Sequence, residues 1–284
     1  MDPYAYHFDL RAKPLAAGVS LAERLAYLAR ITADQAQTNP VDVIQLGLGA
    51  LQLRDSDQLP LVAAIVDWIE RSLDSDGLLA YRFPMPHTFS LDPPWYSSLA
   101  QGEAGSLLVR AAELFARPEL YRLADRVTEP LLQVESPLVA ITPEGPVLEE
   151  YPTDPPAHVL NGWITSLFGL HDVGRTPRAA TADRSAEAFG AGTKTLAARL
   201  GLYRLALGWS RYDLYPHPLT NVSSLSYQRL HVAQLRALHS LTDFPLFAST
   251  ADEWERALAS RTASLVGLGR KVAFRLVRPR WRRV

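Results

Sequence analysis

Three stretches of this sequence concentrate side chains able to move protons or grip a sugar. The first is Leu148-Glu149-Glu150-Tyr151-Pro152-Thr153, followed by Pro155-Pro156 and Asn161-Gly162-Trp163. A carboxylate in a proline-stiffened loop can serve as a held general acid or base. Only one of two adjacent carboxylates is expected to face a given pocket. Taken alone, the pair also fits an ordinary acidic surface turn. The second stretch runs from Phe83-Pro-Met-Pro-His87 through Pro93-Pro-Trp95-Tyr96 into Ser97-Ser-Leu-Ala-Gln101-Gly102. Trp95 and Tyr96 offer flat faces for sugar rings, and Gln101 offers paired donor and acceptor groups. Composition alone makes Trp95 a core anchor at a helix start. The third stretch is Trp209-Ser-Arg211-Tyr212-Asp213-Leu-Tyr215-Pro-His217, which leads to Tyr227. Tyr227 and His231 are four residues apart and so share a helix face. A phenol with its usual pKa near ~10 carries its proton at neutral pH. His231 reads first as a hydrogen-bonded support for its neighbours. The seven histidines form neither an HExxH nor a clustered ligand set, so no metal is expected.

These stretches lie between segments with helical periodicity. Ser20-Leu-Ala-Glu23 is a capping box ahead of Leu21, Leu25 and Leu28. Pro40 opens a helix whose apolar face includes Val43, Ile44 and Leu48. Further helices are predicted over 61–73, 97–115, 118–132, 159–173, 178–200, 227–242 and 245–266, about nine in all. The long connections, 81–96, 136–157 and 203–226, are dense in Pro, Tyr, Trp and His. Loops of that length in a compact domain are functional or contain short strands. Helical hairpins joined alternately by short and long loops predict a mainly α fold. The expected form is an α/α toroid, or incomplete α/α barrel, with the long loops at one mouth.

The chain has 284 residues, no cysteine and a net charge of −1, so disulfides and thiolate metal sites are excluded. Nearly half the residues are apolar, enough for a sizeable core. The N-terminal residues Met1 to Leu10 lack the apolar run of a signal peptide, and no stretch reaches the ~20 apolar residues of a membrane span. A cytoplasmic location is the default, and no nucleic-acid partner is expected. The charge is uneven. Seven Lys or Arg and no acid lie between Arg270 and Val284, leaving 22 basic and 30 acidic residues elsewhere, a net of −8. A domain of residues 1–269 and a basic tail of residues 270–284 are therefore expected, the tail suited to an anionic partner or to a solvated end.

Five stretches together resemble the C-terminal catalytic domain of D-glucuronyl C5-epimerases, which convert D-glucuronic to L-iduronic acid in heparan-type chains. They are Pro94-Trp-Tyr-Ser-Ser-Leu-Ala-Gln-Gly102, Glu149-Glu-Tyr-Pro-Thr153, Val159-Leu-Asn-Gly162, Tyr212-Asp-Leu214, and Tyr227 with His231 and Gln234-Leu235. They occur in the family's order and cover about Asn39 to Leu258. The resemblance implies a helical barrel-like domain, an anionic polysaccharide substrate and no cofactor, since no net electron transfer occurs. It also implies catalytic roles for Glu150, Tyr151, Tyr212 and Tyr227, with Trp95, Tyr96, Gln101, Asn161, Arg211 and His231 as the substrate-binding set. Three residues past Tyr212, where animal members carry arginine, stands Tyr215, and Arg211 or Arg229 is a candidate to replace that charge. No counterpart of the β-rich N-terminal domains of the animal enzymes is expected within these residues, and the oligomeric state is left open. A polysaccharide lyase, or a carbohydrate-binding relic without activity, are the alternatives.

The basic end offers one more expectation. Lys271-Val-Ala-Phe274-Arg-Leu-Val-Arg278 alternates apolar and basic residues, and Pro279-Arg-Trp281-Arg-Arg283 follows. Such a segment suits an anionic membrane surface, where each basic residue contributes roughly 1 kcal/mol. It can also hold an anionic polysaccharide.

Overall fold

The computed structural model describes Tyr4 and residues 9–12, 18–85 and 88–279. Among these residues there are ten α-helices and one β-hairpin. Helix α1 (Leu21–Thr32) opens with the capping box: the Glu23 amide donates to Ser20 Oγ, and the Ser20 amide donates to Glu23 Oε2. Helix α2 (Pro40–Leu53) is capped by Asn39 and has Pro40 in its first turn. Helix α3 (Leu59–Ser72) returns beside it.

Helix α4 (Ser98–Phe115) is buried along every residue from Ser98 to Ala112, which makes it a central element. It packs on α2, on α5 (Glu119–Thr128) and on α6 (Leu160–Gly174). The α4–α6 crossing depends on glycine. A Cβ at Gly169 would strike the backbone of Gly102, and one at Gly102 would lie 2.8 Å from the Cα of Ser166. Backbones can approach this closely only without side chains. Ser98 and Ser166 join hydroxyls across the crossing at 2.8 Å. Further along, Asp172 of α6 accepts from Ser106 and Arg110 of α4, at 2.5 and 3.0 Å.

Helix α7 (Ala182–Arg199) covers α6, and α8 (Leu225–Thr242) packs on α6 and on α9 (Pro245–Ala259). The helix expected over 118–132 ends at Thr128 and continues as a 3₁₀ turn, Glu129–Leu131. Pro130 in that turn supplies no amide hydrogen. The helix expected over 245–266 is two helices. Ser260 is extended (φ −84°, ψ 118°), and its hydroxyl caps Ala263 at the start of α10 (Arg261–Val277). The division between residues 269 and 270 falls inside α10. Arg280, Trp281, Arg282 and Arg283 lie outside the described residues, as does His87.

Of the long connections, residues 136–157 hold an antiparallel hairpin of β1 (Val139–Thr142) and β2 (Gly145–Leu148), which delivers the chain to Glu149. The other two are tied by isolated bridges, Tyr81 to Trp95 and Arg211 to Val222. Among the described residues no helix is long and apolar enough to cross a membrane.

Candidate active site

The loop before α4 is stiffened by its own aromatics. Tyr81 and Trp95 pair through both backbone groups, and their rings stack at 3.9 Å and 16°. Trp95 Nε1 donates to the Phe83 carbonyl at 2.8 Å. Trp95 is thus anchored in the core, as composition suggests, yet it also lines a cavity of about 270 Å³ with Tyr81, Phe83, Asn39, Glu150 and Tyr151. Gln101 and Tyr96, the other wall residues expected from this loop, face elsewhere. The Gln101 side chain accepts from the Leu79 amide and donates to the carbonyls of Gly77 and Val127, at 2.7–2.9 Å. It is fully buried, lines neither the cavity beside Glu150 nor that beside Tyr212, and ties the base of the loop through these bonds. Tyr96 packs against the cluster around Trp163 and hydrogen-bonds Asp74.

The two glutamates after β2 part company. Glu149 Oε2 accepts from the amides of Ala157 and His158 at 3.1 and 2.9 Å, and its Oε1 lies 2.5 Å from His158 Nδ1. That carboxylate pins the loop. Glu150 faces the cavity, bonded to the Tyr151 hydroxyl and to Asn161 Nδ2, the latter at 3.4 Å. Asn161 therefore orients Glu150. Gly162 next to it has no room for a side chain, because a Cβ there would collide with the Glu150 carboxylate. Burial pushes the Glu150 carboxyl up to about 7. The hydrogen bonds from Tyr151 and Asn161 oppose that rise, and the charges of Glu149 and Asp213 add to it. At neutral pH both forms of Glu150 are populated, the condition a proton-transfer group needs.

Tyr151 also lines a second cavity, of about 200 Å³, with Thr88, Phe89, Tyr212, Tyr227, Lys271 and Arg275. The backbone of Tyr212 is fixed on both sides: its amide donates to the Asn221 carbonyl at 2.7 Å and its carbonyl accepts from Leu160 at 3.1 Å. Its ring meets that of Tyr227 edge-on at 4.8 Å. Tyr227 stands in the first turn of α8, which Ser224 caps. Burial raises the phenols of Tyr151 and Tyr212 far above the usual value, and the nearby Glu150 carboxylate raises them further. Both stay protonated, and Tyr151 donates to Glu150. His231, one turn beyond Tyr227, is fully buried and bonds Ser210 Oγ through Nδ1 at 2.9 Å. Burial first, then the Lys271 charge, lower its pKa to about 3, so it is neutral. It lines neither cavity and supports the floor beneath Tyr227. Arg211 also lines neither, and Arg229 is exposed on α8.

The cations in this cavity come from α10. Lys271 Nζ donates to Asn221 Oδ1 at 2.8 Å and sits 5.5 Å from the centre of the Tyr212 ring. Arg275 donates to Thr88 Oγ1 at 3.0 Å. Between them Phe274 is fully buried, 5.1 Å from the His217 ring. Sequence reasoning placed none of these three in the site. Their 271/274/275 spacing is helical, and the capping Ser260 marks the helix start, but the local alternation of apolar and basic residues pointed to a surface segment. Among the described residues no group of three His, Asp or Glu could hold a metal ion.

The profile of a family described as the D-glucuronyl C5-epimerase C-terminus matches residues 74–256. The chain is also 29% identical over 212 residues to the D-glucuronyl C5-epimerase of Caenorhabditis elegans, an alignment covering 67% of this chain and 34% of that protein. The matched part thus amounts to about a third of that relative's length. The matched segment holds Trp95, Glu150, Tyr151, Tyr212 and Tyr227, and it ends before α10 begins.

Proposed function

The chain belongs to the D-glucuronyl C5-epimerase C-terminus family, and from that premise we propose that it inverts C5 of D-glucuronic acid units in an anionic polysaccharide, giving L-iduronic acid. The observation that carries the reading is the pairing of Glu150, whose pKa is about 7, with Tyr151, which borders both cavities. The C5 proton lies α to a carboxylate and is very weakly acidic. Its removal requires a positioned base and donors aimed at the charge that develops on the carboxylate oxygens. In this reading Glu150 takes the proton from one face of the sugar, and Tyr227 returns one to the other. Tyr212, held protonated, donates to the enolate-like oxygens, and Tyr151 can turn its proton to them once Glu150 has taken one and no longer needs it. Trp95 forms the wall of the Glu150 side, and Asn161 keeps Glu150 oriented. The helical hairpins are read as an incomplete α/α barrel whose long loops converge on these cavities.

Incubation with a glucuronate-containing polymer in deuterated water tests the reading. Deuterium at C5 together with iduronate signals in the NMR spectrum supports it. A polysaccharide lyase removes the same proton and then expels the C4 substituent, giving an unsaturated sugar that absorbs in the near ultraviolet. That product, or the absence of any exchange, overturns the epimerase reading; the latter leaves a carbohydrate-binding protein.

A second reading concerns the outer face of α10, where Leu265, Leu268, Val272 and Leu276 are 51–80% exposed. These positions share one helix face. We propose that this stripe, with the basic residues flanking it, makes a peripheral contact with an anionic membrane surface.

A further inference from the structure

We propose that Lys271 and Arg275 of α10 form the subsite that receives the uronate carboxylate in the tyrosine-lined cavity. The inference rests on the epimerase reading and adds to it a residue pair from beyond the matched segment. The cavity lining supplies the first argument. Among the described residues its lining is Thr88, Phe89, three tyrosines, Lys271 and Arg275, none of them a carboxylate. Tyr212 is held in the protonated form and presents a donor, while the Tyr151 hydroxyl bonds Glu150 at the cavity's edge. The space is therefore lined with hydroxyl, ammonium and guanidinium donors, and it suits an anion with two or more acceptor oxygens.

The second argument is positioning. Lys271 and Arg275 are four residues apart on one face of α10, and the fully buried Phe274 fixes that face against the body. Two hydrogen bonds help to steady the cationic heads, from Lys271 to Asn221 Oδ1 and from Arg275 to Thr88 Oγ1. Asn221 is itself set by Asp213, which accepts from Asn221 Nδ2 at 2.5 Å, so the amide oxygen is turned toward Lys271. The buried Asp213 thus reaches Lys271 through a neutral amide. An ammonium and a guanidinium held this way are ordered before a ligand arrives, which reduces the entropy lost on binding.

The third argument is location relative to the proton-transfer group. Tyr151 borders both the cation-lined cavity and the cavity of Glu150. A carboxylate bound between Lys271 and Arg275 brings the carbon next to it to the Tyr151 boundary, toward Glu150. The same two cations then oppose the negative charge that grows on the carboxylate when that carbon loses its proton. The subsite would do the work of the arginine expected three residues past Tyr212, whose place Tyr215 takes, from a different element of the fold.

Calorimetric binding of two oligosaccharides tests the assignment: one containing glucuronate and its carboxyl-reduced counterpart, titrated at fixed ionic strength into the wild-type chain and into Lys271→Gln and Arg275→Gln. The wild type should bind the carboxylate form on the order of 10- to 100-fold more tightly than the reduced form, the span expected for charge-assisted hydrogen bonds. Each glutamine variant should lose most of that preference while its affinity for the reduced sugar stays unchanged. Lys271→Arg and Arg275→Lys should retain part of it. Equal weakening toward both sugars would assign the pair a purely structural role and overturn the subsite. Full retention of the preference in both glutamine variants would overturn it too, leaving the epimerase reading intact. A wild-type chain that binds neither sugar, or does not distinguish them, removes the underlying reading and the subsite together. Lys271→Met and Arg275→Met keep the apolar stems and serve if the glutamine variants do not fold.

Discussion

Replacing Glu150 by glutamine should make this protein more stable and less active, and the gain in stability should depend on pH. Folding moves the Glu150 carboxyl from its usual 4.5 to about 7, chiefly through burial. Between those values the folded chain binds more protons than the unfolded chain, so stability falls as pH rises through the window. The favourable contribution is fully present below 4.5 and is lost as pH passes 7. Each tenfold change in proton affinity is worth about 1.4 kcal/mol. The raised pKa of Glu150 therefore costs the fold roughly 3 kcal/mol near pH 8.5 and roughly 1 kcal/mol near pH 5, where it is the unfolded chain that ionises. Glutamine is neutral at both and nearly the same shape. Urea unfolding of wild type and Glu150→Gln at the two pH values, with slopes that agree, measures the difference directly. The variant should lead by about 3 kcal/mol at the higher pH and by about 1 at the lower. A lead that does not change with pH, or a variant weaker than wild type near pH 8.5, would refute both the burial argument and the pKa it yields. In the same preparations C5 exchange should drop on the order of 10²- to 10⁴-fold, the usual contribution of a positioned acid or base.

Tyr227→Phe should lower C5 exchange by roughly 10²- to 10⁴-fold and leave circular dichroism and the unfolding midpoint close to wild type; exchange at the wild-type rate would remove Tyr227 from the chemistry. Gly162→Ala introduces a methyl against the Glu150 carboxylate, and the displaced acid should cost about 10²-fold in turnover, more than any change in KM; normal kcat would show that the carboxylate need not sit where it does. Gln101→Leu strands the Leu79 amide and the carbonyls of Gly77 and Val127 and should destabilise by roughly 3 kcal/mol or more, with KM unchanged for whatever fraction remains folded; a raised KM with intact stability would return Gln101 to the substrate. Leu268→Asp combined with Leu276→Asp on the exposed face of α10 should abolish co-sedimentation with anionic liposomes and spare turnover on a soluble oligosaccharide. Undiminished sedimentation would remove the membrane contact.

Local signals proved reliable where they act locally. Ser20 with Glu23, Asn39 with Pro40, and the periodic apolar residues of α4 each fix an element through groups within one turn of one another, so the sequence pattern and the structure coincide. Element ends were harder, because a single Ser260 both ends one helix and caps the next without interrupting the apolar rhythm. The tyrosines at 151, 212 and 227 do border one cavity, with Glu150 in the adjoining one. Residue type could suggest that much, since each sits in a long polar loop or at the head of a helix. It could not separate a glutamine turned inward from one turned toward a ligand. Gln101 is saturated by three backbone groups that lie 22 to 26 residues away in sequence, and nothing in the motif around it records those partners. Lys271 and Arg275 stayed hidden for the same reason: their contacts to Asn221 and Thr88 span 50 and 187 positions.

The length of that last connection has a consequence for the making of the protein. Thr88 and Arg275 meet across 187 positions, while most helix packing in the body joins elements close together in the chain. Translation at about 5–20 residues per second separates their emergence by roughly 10 to 40 s. In that interval α2 to α6 can already dock, carrying Trp95, Glu150 and Tyr151 with them, and α8 with Tyr227 follows. The two cations arrive after all of these. A nascent chain thus assembles its acid and its phenols first, and the donor-lined cavity beside them is completed last, when its two cations emerge.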